Sequence, residues 1–258
     1  MEEIEKKRAK YKFSGETALV TGAAGGIGRA VARAFAKQGA SVVIADIDLP
    51  GAAETMRSIE MFGGRAAVVR ADVTSDSDVR DLIDFVVDRF GKLDFSCNNA
   101  GVESGLIPLV ELPRDRWDRT LGINLTGIYQ CLKYELRQML KQGSGAIVNI
   151  ASVAGVVGTS HMASYVASKH GVVGLTKTAA IEVAKTGIRV NAVAPGVVDA
   201  GLTRAVPRDF VDTMLVSQPM GRMADADEIA AAVLWLCSDE ASFVQGHTLV
   251  ADGGATIM

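Results

Sequence analysis

Tyr165 and Lys169 stand four positions apart in a stretch of helical period, so a phenol and an amine share one helix face. A phenol can trade protons with an alcohol, and an amine beside it can stabilise its anion. Taken alone, such a pair is an ordinary amphipathic face. Two more polar residues give it context. Ser152 follows a β-branched run at 146–150, and Asn124 lies inside a long helical pattern at 114–141. A hydroxyl placed just past a strand sits where open α/β sheets bind their ligands.

A second set of residues points to a dinucleotide. The run at 17–20 leads directly into Thr21, Gly22, Ala23, Ala24, Gly25, Gly26, Ile27 and Gly28, and a helical pattern follows. Gly22 permits the tight turn, Gly26 leaves room for a pyrophosphate, and Gly28 lets the helix approach the sheet. The helix N-terminus then offers free N–H groups and a partial positive charge to phosphate. The spacing is looser than the common G-x-G-x-x-G pattern, and the strand before it with the helix after it carries the inference. Asp46 ends the next apolar run and is followed by Ile47. Its carboxylate can accept from both adenosine ribose hydroxyls and repels a 2′-phosphate. No Lys or Arg lies at Ala23-Ala24 or directly after Asp46 to welcome that phosphate. NAD is therefore expected rather than NADP. The competing duty for a strand-end Asp is to cap a turn.

These groups need a scaffold. Strands are predicted at 17–20, 41–45, 66–70, 93–97, 146–150, 189–193 and 248–250. Helices are predicted at 27–38, 52–62, 75–90, 114–141, 163–185 and 225–236. Strands alternating with helices of this length imply βαβ units, hence an α/β, doubly wound parallel sheet of about seven strands in a Rossmann-type arrangement. No linker or repeat interrupts the pattern, so residues 15–258 read as one domain after a polar extension at 1–14. Residues 196–220, holding Pro207 and Pro219, are expected as an irregular lid-like loop.

The 258 residues are 48% hydrophobic and carry a net charge of -3, which gives no pull toward nucleic acid or an anionic membrane. Cys97, Cys131 and Cys237 fall in no paired or metal-like spacing and are expected as buried thiols, with no metal site. The charged N-terminus lacks an apolar signal region, and no apolar run reaches membrane-spanning length. A cytoplasmic setting is the expectation.

In this arrangement the chain resembles the short-chain dehydrogenase/reductase family, in its compact single-domain branch. The likeness is carried by the glycine motif at 21–28, Asp72-Val73, Asn98-Asn99-Ala100-Gly101, Asn124, Ser152, Tyr165, Lys169, Asn191 and Pro195-Gly196. It implies that Tyr165 is the acid/base, helped by Lys169 and the positive nicotinamide. Stabilising the phenolate from a pKa of about 10 to neutral pH takes roughly 3–4 kcal/mol. Ser152 would hold the substrate oxygen, Lys169 would also bind the nicotinamide ribose, and Asn124 would hold a water that relays protons. Asp72 and Val73 would meet the adenine. Asn98, Asn99, Ala100 and Gly101 would line the cofactor floor, and Ile27 and Ile47 would flank the dinucleotide. Pro195, Gly196 and the Val198 backbone would face the carboxamide. The family usually has Thr where Ala200 stands, and Thr203 would substitute only in a remodelled loop. The resemblance also implies a homo-oligomer, usually a tetramer.

A small-molecule substrate is expected against walls that include Val102, Glu103, Val153, Ala154, His161, Met162, Leu202, Val206, Phe210 and Met214. The activity expected is oxidation of an apolar or cyclic secondary alcohol, or the reverse reduction. One alternative is a 3-oxoacyl-carrier-protein reductase. It is weakened by Asp46 and by Ile181 where such enzymes carry Arg, while Arg137 would suit a carrier site. A second alternative is an NAD-binding sensor without catalysis, a class in which Tyr or Lys is typically lost.

Overall fold

The computed structural model describes residues 11–204, 207–216 and 218–257, without the side chains of Leu202 and Arg204. Seven strands form one sheet: β1 (Thr17–Thr21), β2 (Ser41–Asp46), β3 (Arg65–Arg70), β4 (Phe95–Asn98), β5 (Gly145–Ile150), β6 (Ile188–Pro195) and β7 (Thr248–Ala251). All pairings are parallel, in the order β3-β2-β1-β4-β5-β6-β7. The order reverses between β1 and β4. There two crossovers leave in opposite directions and open a crevice at the strands' carboxyl ends.

The strands β1 and β2 are mostly apolar because both faces are covered. Alternate residues serve opposite layers. Val20, Val42 and Ile44 pack with Phe35 of α1 (Gly26–Lys37) and Val233 of a later helix. Leu19, Val43 and Ala45 pack on the other side with Leu82 of α3 (Asp76–Phe90) and Val172. Between them α2 (Leu49–Glu60) starts earlier than expected. Asp48 caps it by accepting the Gly51 N–H at 3.2 Å, and Pro50 presets its first turn.

Two expectations are corrected. The single helix predicted over 114–141 is broken into α4 (Arg114–Leu121), a π turn (Gly122–Thr126) and α5 (Gly127–Gln142). A π turn holds an extra residue without interrupting apolar periodicity, so the pattern concealed it. The stretch 196–220 is not irregular throughout. It contains α7 (Gly201–Arg204) and α8 (Arg208–Val216), after the long α6 (Ala163–Val183) and before α9 (Ala226–Cys237). Pro207 reads as a breaker but stands immediately before α8, where a fixed φ suits helix entry.

Residues 1–10 of the expected extension lie outside the described residues, as does Val206. Phe13, however, is buried against Phe35 and Phe95, with ring centroids 5.8 and 4.7 Å away. The packed body therefore begins before residue 15. All three cysteines are free and buried, as expected. Among the described residues no cluster could hold a metal ion, and no helix is long and apolar enough to cross a membrane.

Candidate active site

A crevice of about 800 Å³ opens at the switch point. At one end, the turn from β1 into α1 is shaped by glycine. Gly22 has φ +64, and a Cβ there would stand 2.7 Å from the Ala100 Cα. Gly26, at φ +52, presents bare backbone to the opening. Gly28 lies behind the crevice, where a Cβ would strike the Gly22 carbonyl oxygen. Helix α1 has no side-chain cap and no acidic residue in its first turn, so its N–H groups and positive end are left for an anion.

Asp46 and Ile47 line the same end, as do Ile27, Asp72 and Val73. The Asp46 carboxylate accepts the Ala24 N–H at 2.8 Å and the Asp48 N–H at 2.9 Å, which fixes its orientation. Asp72 is held through one oxygen by Thr74, from the N–H at 2.9 Å and the hydroxyl at 2.7 Å. Sequence reading passed over Arg29, which reaches back to the glycine loop. Its guanidinium donates to the Ala24 carbonyl, to Thr55 Oγ1 at 2.9 Å and to the Gly51 carbonyl at 3.2 Å, and it pairs with Glu54. The cation is turned onto the protein itself. Arg119 also lines the crevice and was not singled out; an exposed Arg on a polar helix leaves no sequence signal.

The floor is the end of β4. Asn99 Nδ2 bridges the Thr21 and Gly22 carbonyls at 3.0 and 2.9 Å, locking Ala100 and Gly101 beside the glycine turn. Asn98, expected on this floor, is not part of it: as the last residue of β4 it turns the other way, into the sheet, and donates to Glu135 and Asn149. Asn124 sits fully buried inside the π turn. It accepts the Val102 N–H and donates to the Val102 carbonyl, both at 2.8 Å, and donates to Ser168 at 3.3 Å. Both amide hydrogens are thus spent on the protein, a fastening duty the sequence did not reveal.

At the other end Ser152, Tyr165 and Lys169 converge on the crevice. Ser152 opens a short 3₁₀ turn after β5, where its Oγ accepts the Ala154 N–H at 3.1 Å, and it lines the crevice together with Tyr165. Lys169 is buried; its Nζ donates to the Ile150 carbonyl at 2.8 Å and lies 5.7 Å from the Tyr165 ring centroid. Burial lowers the Lys169 ammonium to about 8. The Tyr165 phenol runs against expectation. Burial pushes it above its ordinary value, the bond from Ser152 opposes this, and the Glu103 charge adds to the rise. In the protein alone the lost hydration of a phenolate outweighs any help from Lys169.

Pro195, Gly196 and Val198 border the crevice from β6, and a Cβ at Gly196 would meet the Asp252 Cα at 2.8 Å. Ala200 and Thr203 both line it. Val153 is half-buried in the 3₁₀ turn after Ser152, outside the crevice lining. His161 is exposed and also outside the lining, with φ +65 and its ring bonded to the Ser160 hydroxyl at 2.8 Å. The Leu202 side chain lies outside the described residues.

The family model described as enoyl-(acyl carrier protein) reductase, of the short-chain type, matches residues 22–256. The chain belongs to the short-chain dehydrogenase/reductase family. This is a family of oxidoreductases that use nicotinamide cofactors. As a short-chain dehydrogenase/reductase, the chain is 47% identical over 244 residues to a cis-4-hydroxycyclohexanecarboxylate dehydrogenase of Sinomonas cyclohexanicum, covering 95% of this chain and 98% of that one. It is 41% identical over 246 residues to a cyclohexanol dehydrogenase of Acinetobacter sp. (strain SE19), covering 95% and 96%. A 3-oxoacyl-[acyl-carrier-protein] reductase of Thermotoga maritima is 37% identical over 246 residues, covering 95% and 100%. The crystal structure of a levodione reductase superposes with a TM-score of 0.92 at 34% identity, covering 94% and 98%.

Proposed function

We propose that this chain is an NAD-dependent dehydrogenase that interconverts a secondary alcohol and a ketone on a small, apolar, cyclic substrate. The observation that carries the reading is one crevice with an uncapped helix end and Asp46 at one extreme, and Ser152, Tyr165 and Lys169 together at the other. The bare glycine turn fits a pyrophosphate, since a Cβ at Gly22 or Gly28 would collide. When bound, the nicotinamide accepts hydride from the carbinol carbon, or returns it to a ketone.

The chain's own residues then handle the proton and the geometry. Tyr165 takes the hydroxyl proton during oxidation and donates it during reduction. Ser152 holds the same oxygen within reach. Lys169, anchored on the Ile150 carbonyl, holds the nicotinamide ribose. A positively charged nicotinamide held in this crevice would supply the stabilisation that the protein alone lacks, so Tyr165 would become a competent base only with cofactor in place. Asn124 keeps Gly101 and Val102 in position, and Gly101 approaches both Asn124 Oδ1 and Lys169 Nζ. A proton relay from Lys169 toward Asn124 and solvent accords with that closeness. Thr203 takes over the carboxamide contact that Ala200 lacks, beside the Val198 backbone.

Asp46 favours NAD because its carboxylate occupies the place of a 2′-phosphate and Arg29 is committed elsewhere. The residues from Phe13 onward act as one catalytic domain, assembled as a homotetramer in the cytoplasm. Replacing Tyr165 by Phe should lower turnover at least about 100-fold and leave NAD affinity nearly unchanged, as read by NADH absorbance and calorimetry. Undiminished turnover would remove Tyr165 from its role. The relative from Thermotoga maritima keeps a second reading, reduction of a carrier-bound 3-oxoacyl thioester. Asp46 opposes its usual NADPH, Ile181 is exposed where Arg is expected, and Arg137 lies over the Tyr134 ring. Assays with acetoacetyl-CoA and each reduced dinucleotide separate the two.

A further inference from the structure

Among the described residues His161 is the one non-glycine residue with positive φ, at +65. Left-handed backbone is unfavourable for any residue with a Cβ and worst for a β-branched one, so its surroundings must hold it there. The main chain shows what the turn accomplishes. The His161 carbonyl accepts the Ile107 N–H at 2.8 Å, and Met162 pairs with Ile107 in a parallel bridge. Helix α6 opens directly afterwards at Ala163, with Tyr165 as its third residue and the Val166 N–H bonded to the Met162 carbonyl at 2.8 Å. That helix start lacks the usual fastenings. No side chain caps it, no acidic residue stands in its first turn, and the buried Ser164 hydroxyl has no partner among the described residues. The strap at 102–107 takes the place of a cap. Its other end is Val102, which lines the crevice and is clamped by Asn124. The His161 ring takes no part in this: it is exposed, outside the crevice lining, and bonded to the Ser160 hydroxyl at 2.8 Å.

We infer that His161 is a positioning residue that acts through its backbone: the left-handed turn docks the start of α6 on the strap and thereby fixes Tyr165 in the crevice. The inference rests on the reading of Tyr165 as the acid/base. A phenol that trades protons must stand within hydrogen-bonding reach of the carbinol oxygen. A displacement of about 1 Å, caused by a change remote from the chemistry, can lower the rate about 100-fold. The left-handed turn is therefore retained for where it aims the next helix, and the imidazole is dispensable.

The test compares the full-length wild type with His161→Gly, His161→Asn and His161→Val. Glycine and asparagine accept a left-handed backbone without an imidazole, whereas valine resists it. With NAD and cyclic secondary alcohols, His161→Val should lower kcat about tenfold or more and leave NAD affinity, by calorimetry, within about threefold. His161→Gly and His161→Asn should keep kcat within about threefold. Hydrogen exchange read by mass spectrometry adds a measure that needs no turnover. Peptides holding Ile107 and Val166 should exchange about tenfold faster in His161→Val and near the wild-type rate in His161→Gly. Losses in the Gly and Asn variants as large as in Val would assign the role to the imidazole and overturn the inference. A fully active Val variant with native exchange would overturn it too, as would NAD affinity falling in step with kcat, the mark of general destabilisation. Should His161→Val fail to fold, Ile107→Pro, which removes the donor to the His161 carbonyl, takes its place with the same expectations. A wild type that oxidises no alcohol would refute the dehydrogenase reading instead, and the exchange rates then decide whether His161 sets the start of α6.

Discussion

At the scale of single residues, the site works by committing some polar groups to the protein and leaving others free. Arg29 shows the first case, since its donors go to the Ala24 and Gly51 carbonyls, Thr55 and Glu54. Asp46 shows the second. Two backbone N–H groups orient its carboxylate while it still lines the crevice. Asp46→Ala should therefore raise the NADP/NAD ratio of kcat/KM by about tenfold or more, because a like charge no longer faces the 2′-phosphate. A ratio that stays put would assign cofactor choice to another residue. Both motifs were legible in the chain, since glycine and strand-end acid each have a local reason for their place. Arg29 was not, because its guanidinium reaches a loop that precedes it and a helix that follows.

At the scale of elements, a polar seam ties two strands to two helices. Ser96 and Asn98 of β4 donate to the buried Glu135 of α5, the latter at 2.9 Å. Asn98 also reaches Asn149 of β5, which donates to Thr176 of α6 at 2.9 Å. Among the described residues no cation is paired with Glu135, and burial raises it from 4.5 to about 7. Between these values the folded chain binds a proton that the unfolded chain has released. The associated stabilisation is complete below pH 4.5 and is lost as pH rises through 7, an effect of about 3 kcal/mol. Glu135→Gln cannot ionise, so its denaturation midpoint should change much less between pH 5 and 8 than the wild type's, as followed by circular dichroism. An equal pH slope in both proteins would place the titration elsewhere. Periodicity identified α5 and α6 but gave no hint of this seam, whose members lie far apart in sequence.

At the scale of the whole molecule, both edge strands of the sheet, β3 and β7, are only partly covered, and the chain carries large exposed apolar groups. Phe243 is fully exposed, Ile257 is 86% exposed, and Ile181 stands out from α6 at 77%. Apolar surface of this kind is where copies of a chain meet. Light scattering should find a four-chain particle, and Phe243→Glu should shift it to a smaller one while the melting transition stays cooperative. A monomeric wild type would refute the assembly.

Local chemistry determined much on its own. Strands buried on both faces must be apolar along their length, tight turns before phosphate need glycine, and a residue pair one helical turn apart shares a face. Those rules placed the seven strands, the glycine cradle, Asp46 and the Tyr165–Lys169 pair. Tertiary structure decided the rest. The π turn that buries Asn124 and the helices α7 and α8 arise from packing that an apolar period does not record. The raised phenol of Tyr165 follows from water removed by distant segments. Desolvation and long-range hydrogen bonding depend on what the folded chain brings near, and no spacing along the sequence encodes them.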